Sequence, residues 1–331
     1  MAVSLGAALV APFHTFLFAY AFLGPLHYLT EISWLHDRQY FTNSRHDYFF
    51  YLLISALISL DFMGRVFHLF PAATQFVDDH NLIVCLTAFA FLGSLPLLFS
   101  KSIQLKSVIL TLLFALLYFW FIPSIVNSHL YFIIISLLPT LIHVGVFTGL
   151  FILFGSLKSR SKSGLVSFIV FLICPFILWF LSPEYFLLQT DEVIRVTYLS
   201  DGYGFGLLNY DILTKFNLSD SAKLSQRELI FESREGLLLM RVIAFLYLYH
   251  YLNWFSKTEI LKWHQIPFKR LMIILCLWGT SCVLYLMDYF QGMVVLFFLS
   301  YCHVLLEFPL NIHSIIGIGK ESYKLFKQGP H

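Results

Sequence analysis

Residues 297–317, FFLSYCHVLLEFPLNIHSIIG, set His303, Glu307 and His313 into a run that is otherwise apolar enough to cross a bilayer. A charge at the centre of a spanning helix costs about 2.5–3.5 kcal/mol on insertion scales, so such side chains are retained where they have partners or a task. His303 and Glu307 are four residues apart, which on a helix puts them on one face. Their partners should lie elsewhere in the chain.

The rest of the sequence has the same character. Of 331 residues, 59% are hydrophobic and only 12% charged, about half the charged share of a soluble globular protein. This reads as an integral, multi-pass membrane protein, in a plasma or inner membrane. A net charge of +2, with no basic run interleaved with aromatics, gives nucleic acid nothing to bind. The N-terminus has no basic segment before its apolar run, so it is read as a retained span and not a signal peptide. Cys85, Cys174, Cys276, Cys282 and Cys302 all fall in apolar segments, which argues against a disulfide framework or a thiolate zinc site.

Runs long enough to cross about 30 Å of hydrocarbon as helices occur near 5–29, 48–70, 82–100, 107–127, 129–155, 164–183, 236–256, 271–289 and 293–316. The expected fold is therefore all-α: a polytopic transmembrane helical bundle of about nine spans, within eight to ten, forming a single transmembrane domain over 1–331. Pro309 is expected to end or bend the last span early.

Lysines and arginines alternate between connections. They occupy 30–47, 101–106, 156–163, 257–270 and the tail after 316, and are absent from 71–81, 127–129 and 290–292. The positive-inside rule then places the N-terminus outside and the C-terminus in the cytoplasm. It also makes 184–235 an extracytoplasmic cap between spans six and seven. At about fifty residues this segment is too short for its own core and should pack on helix ends or dock a protein partner. Within it, 193–198 reads as a short β-like run and Ser225 as a helix start. Asn217-Leu-Ser219 fits a glycosylation sequon, a pattern common by chance.

With that topology, spans one, five, seven and nine run inward. They bring His27, His143, His250 and His303 to similar depth, with Glu31 and Glu307 one turn after His27 and His303. A lone intramembrane histidine usually bonds a neighbouring backbone carbonyl or tyrosine, and His14 and His68 are read that way. His80 and His129 belong at outer boundaries, and His36, His46, His264 and His331 at inner aqueous positions. Asp61 and Arg65, four apart, can neutralise each other. Arg241, near the outer end of span seven, is expected to snorkel to the outer surface.

Two carboxylates and four imidazoles at one depth exceed what packing requires. Imidazole and carboxylate without thiolate suit one or two metal ions, with non-haem iron favoured over zinc. The expected ligands are His27, Glu31, His143, His250, His303 and Glu307. Glu31, Glu307 and Asn253 are candidates for moving protons or orienting ligands, and Tyr251, Trp254 and Trp34 for walling the site. Clustered His boxes, H-E-x-x-H, G-x-S-x-G, the P-loop and the dinucleotide fingerprint are all absent. The expected function is a membrane metal-dependent oxidoreductase or oxygenase acting on a membrane lipid or other hydrophobic small molecule. The alternatives are a proton-coupled transporter using the same residues and a non-catalytic scaffold docking through 184–235. His303 and Glu307 should face His250 and His27 in one pocket, with His313 at the inner interface.

Overall fold

The computed structural model describes residues 1–182, 188–200, 204–219, 224–258, 262 and 265–328. Among these the chain is helical and contains no strand. Among the described residues eight helices are long and apolar enough to cross a membrane: Tyr48–Val66, Leu82–Phe99, Ile103–Ile125, His129–Ser159, Lys162–Phe180, Arg234–Ser256, Phe268–Met287 and Tyr289–Lys327. They correspond to the second through ninth expected spans. The first apolar run is divided. Ala2–Val10 stops at Ala11, whose backbone leaves the helical region before Pro12 starts the next helix, Pro12–Phe18. A residue before proline is pushed out of the α region, and proline is well placed in a first turn. The Thr15 hydroxyl donates to the Ala7 carbonyl across the break.

Three stretches have the wide turns of a π-helix: Ala19–Leu23, Leu117–Phe121 and Ile133–Phe147. Each contains the residue four before a proline, Pro25, Pro123 or Pro139. A proline ring collides with that carbonyl and cannot donate to it, and a widened turn relieves the conflict. Proline alone does not force this, since Pro96, Pro175 and Pro309 lie inside α-helices. The expectation that Pro309 ends the last span is therefore corrected: Tyr289–Gln328 runs through it for 40 residues.

The chain divides into two compact units. The first comprises Met1–His27 and Ser167–Leu296, the second Tyr28–Val166 and Phe297–His331. In the first unit Arg234–Ser256 is the central helix, with 72% of its apolar window buried against 17% for Phe268–Met287. Ser233 caps it by accepting from the Gly236 N–H. Glycine is required there because a Cβ would stand 2.1 Å from the Leu229 carbonyl oxygen. Residues from 188 onward form Glu192–Leu199, Gly206–Lys215 and Gln226–Phe231. Tyr198 and Phe231 from these helices close on Phe13, at ring separations of 5.1 and 4.6 Å.

The β-like reading of 193–198 is overturned. Asp191 accepts from the Ile194 N–H as an N-cap, and the segment is helical. A capped amphipathic turn outweighs the weak strand preference of Val and Ile. The start at Ser225 is present as a full capping box with Glu228. Arg241 is wholly buried, not turned to the surface, and donates to the carbonyls of Leu181 and Ser182. His14 faces Asp191, with 4.0 Å between its Nε2 and an Asp191 carboxylate oxygen.

In the second unit the inner face of Tyr48–Val66 (Tyr51, Ile54, Ile58) packs with Ala90 and Leu97 and with Leu305 and Phe308. Polar side chains are tied inside it: Tyr51 bonds Ser94 at 2.8 Å, and Thr87 bonds Tyr301 at 2.9 Å. Arg65 pairs with Asp61 as expected and also with Asp78 of Pro71–Asp79. His68 is exposed in the turn between those helices, with a left-handed backbone, and does not lie inside a span. Lys106, read as a loop lysine, is buried in Ile103–Leu116 and paired with Asp47. His36, His46, His80 and His129 are exposed, while His264 and His331 lie outside the described residues. The five cysteines are free; Cys276 is exposed, whereas Cys85, Cys174 and Cys302 are buried.

Candidate intramembrane histidine and carboxylate site

Tyr289–Gln328 carries His303 and Glu307 one turn apart, both buried in the second unit. The facing histidine, His143, lies in the π-helical stretch Ile133–Phe147. Pro139 precedes it by one turn, and the Thr140 hydroxyl donates back to the Ser136 carbonyl. Wide turns of this kind re-aim side chains and recur at functional positions. His143 Nδ1 stands 3.7 Å from a Glu307 oxygen, and the His143 and His303 rings are 5.1 Å apart at 78°. Tyr28 lies along His303, with ring centroids 5.6 Å apart. Glu31, one turn after His27, is also buried.

The 3.7 Å separation distinguishes two kinds of contact. It is too long for a hydrogen bond, which needs about 2.7–3.2 Å. It lies close to the roughly 3.4 Å between two ligands of one tetrahedral ion at bond lengths of about 2.1 Å.

In the first unit His250 and His27 meet directly. Their Nε2 atoms are 2.9 Å apart, so one ring donates and the other accepts. Trp254 stands edge-on to His27 at 5.5 Å, and Tyr251 lies tilted against it at 5.1 Å. Gly24, one turn before His27, leaves room for the Tyr251 hydroxyl, which a Cβ would approach to 3.3 Å. The division between units falls within the Gly24–Asp37 helix, directly after His27. Within the second unit, the buried histidines His143 and His303, with Glu307 beside them, are side chains that could hold a metal ion. Imidazole nitrogens with a carboxylate nearby are a donor set that divalent transition metals accept.

Of the remaining expected residues, Asn253 is half-buried and its backbone carbonyl accepts from Ser256. Trp34 carries the Arg38 guanidinium over its ring at 4.1 Å. His313 is exposed between Phe41 and Phe154. Sequence reasoning missed Tyr28 beside His303, and Asp78 as the third member of the Arg65 group. It also missed Asn311 and Ser314, which continue the buried polar face beyond Glu307. Their signal was available, because 303, 307, 311 and 314 keep helical spacing in an apolar run.

No protein-family model, curated protein or solved structure matches this chain.

Proposed function

We propose that this protein is an integral membrane metalloenzyme in which His143, His303 and Glu307 of the second unit hold a metal ion, iron before zinc. The reading rests on the 3.7 Å approach of His143 to Glu307 beside His303, with every side chain buried. In the first unit the His27–His250 hydrogen bond fixes the ring orientation and tautomer of both imidazoles. Glu307 lies at ligand spacing from His143 and can complete the shell, and Glu31 and Glu307 are the groups available to accept or return a proton. A bound iron ion would supply oxygen or redox chemistry, and a bound zinc ion an activated water. The substrate is a hydrophobic molecule that partitions into the bilayer.

Metal analysis of the purified protein tests this. At least one equivalent of iron or zinc is expected, and it should fall away in His303→Ala and His143→Ala. Substoichiometric metal in every preparation, unchanged by His303→Ala, would overturn the proposal.

The His27–His250 pair supports a second reading, a proton-coupled transporter, because two facing Nε2 atoms share one proton. Substrate-dependent proton uptake by proteoliposomes, lost in His250→Phe, would favour it. For either reading the lysine and arginine pattern argues for a cytoplasmic C-terminus and an external 184–235 segment, a surface a protein partner could use. Reporter fusions at the C-terminus and within 204–219 would test the orientation.

A further inference from the structure

The polar face that begins at His303 does not end at Glu307. Asn311 and Ser314 follow at helical spacing, each 1% exposed, in the apolar interior of the second unit. Asn311 lies two turns beyond His303, about 12 Å along the axis at 1.5 Å per residue. Neither the nitrogen nor the oxygen of its carboxamide makes a hydrogen bond among the described residues, and the same holds for the Ser314 hydroxyl. Three residues further on, Gly317 lets the Phe154 ring lie against the helix, where a Cβ would come within 2.3 Å of it. Along this helix Asn311 and Ser314 thus lie between Glu307 and the point where the Phe154 ring of the Thr148–Ser159 helix packs against it.

Buried polar atoms in native proteins are nearly always satisfied by protein or by a bound molecule. A carboxamide offers two donor hydrogens and an acceptor oxygen, and serine offers one donor and one acceptor. The complement is a group that donates and accepts through one small atom. We infer that Asn311 and Ser314 form a subsite for a hydroxyl group, supplied by an ordered water or by the head of a lipophilic alcohol. The subsite does not depend on metal at the histidines.

The test compares wild type with Asn311→Leu and Ser314→Ala, the latter chosen because losing one oxygen leaves packing nearly intact. Thermal unfolding is followed in detergent with 1-dodecanol or dodecane, and repeated in His303→Ala so that the metal proposal is tested separately. For an alcohol head, dodecanol raises the wild-type Tm where dodecane does not, and the shift is lost in both variants. For water, no alcohol-specific shift occurs, and a high-resolution structure shows a solvent peak within about 3.2 Å of Asn311 that Asn311→Leu removes. The inference is overturned when the two additives act alike in all variants and no solvent peak contacts Asn311. That outcome holds whatever the Tm of Asn311→Leu, so a variant that fails to fold decides nothing by itself.

Discussion

His143 Nδ1 stands 3.7 Å from a carboxylate oxygen of Glu307, with both side chains almost wholly buried. Neither group reaches this place by accident of packing. Glu307 lies on the face of Tyr289–Gln328 that also carries His303, and His143 is turned toward it by a π-helical stretch around Pro139. At this spacing Glu307 can share an ion with His143, and losing a ligand costs at least as much as losing a group behind one, about 10–100-fold in metal affinity. Glu307→Gln, which keeps the shape and removes the charge, should therefore weaken metal retention by about that factor. Competition against a chelator measures it, and an unchanged apparent affinity would remove Glu307 from the site.

The His27–His250 contact predicts a loss of stability separable from metal. With one partner removed, the remaining buried ring nitrogen loses a hydrogen bond it had exchanged for water. That costs about 1–3 kcal/mol. His250→Phe should lower the Tm whether or not metal is added. A metal-dependent difference alone would mean that His250 acts only through the ion.

The charge group at Asp61, Arg65 and Asp78 should be asymmetric. The Asp61 side chain is 8% exposed, Asp78 61%, and Arg65 bridges them. Removing Arg65 leaves Asp61 as a part-buried charge without this partner, a change that falls between about 0–1 kcal/mol, for an exposed pair, and about 3–5 kcal/mol, for a fully buried one. Removing Asp78 breaks an exposed contact of about 0–1 kcal/mol. Arg65→Ala should thus destabilise more than Asp78→Asn in denaturation of the purified protein. Equal effects would contradict the assigned burial.

Much of this architecture was legible from hydrophobic run length alone, because a bilayer demands about twenty apolar residues per helix. Seven of the nine expected runs match candidate spans within a turn or two at each end. The last match, 293–316, runs on to Gln328, since Pro309 did not break its helix. The division of the first run at Ala11 needed knowledge of what Pro12 does to its neighbour. Helical spacing identified His303 with Glu307, and His27 with Glu31. It could not show that His143 leaves ordinary α geometry, because the π-helical stretch depends on how the turn around Pro139 relaxes against its surroundings. Arg241 was misplaced for a related reason. Side-chain length suggests snorkelling, but the carbonyls of Leu181 and Ser182 lie in another helix's continuation, which composition does not reveal.

Close packing at Gly317 makes a quantitative expectation. A methyl group there would overlap the Phe154 ring, whose nearest carbon would be 2.3 Å away. Overpacking of this kind costs about 1–3 kcal/mol when the neighbour must move. Gly317→Ala should lower the Tm, and Phe154→Leu in the same chain should recover part of the loss. Additive effects of the two substitutions would show that the ring and the helix do not touch.

The described helices between 188 and 231 supply the pH dependence. Arg227 hydrogen-bonds Glu192 and holds its carboxyl below the usual carboxylate range, and the Ser225 capping box does the same for Glu228. A carboxylate whose folded pKa is depressed binds fewer protons folded than unfolded at mildly acid pH. Its contribution is therefore complete above the unfolded pKa, near 4.3 for glutamate, and is lost as pH falls through the lower folded value. These helices should resist limited proteolysis unchanged from neutral pH down to about 4.5 and lose protection below that. Arg227→Ala restores Glu192 to its ordinary range and should flatten that acid limb, leaving the part that Glu228 contributes. An acid limb identical in wild type and Arg227→Ala would show that the Glu192–Arg227 contact does not hold the segment in place.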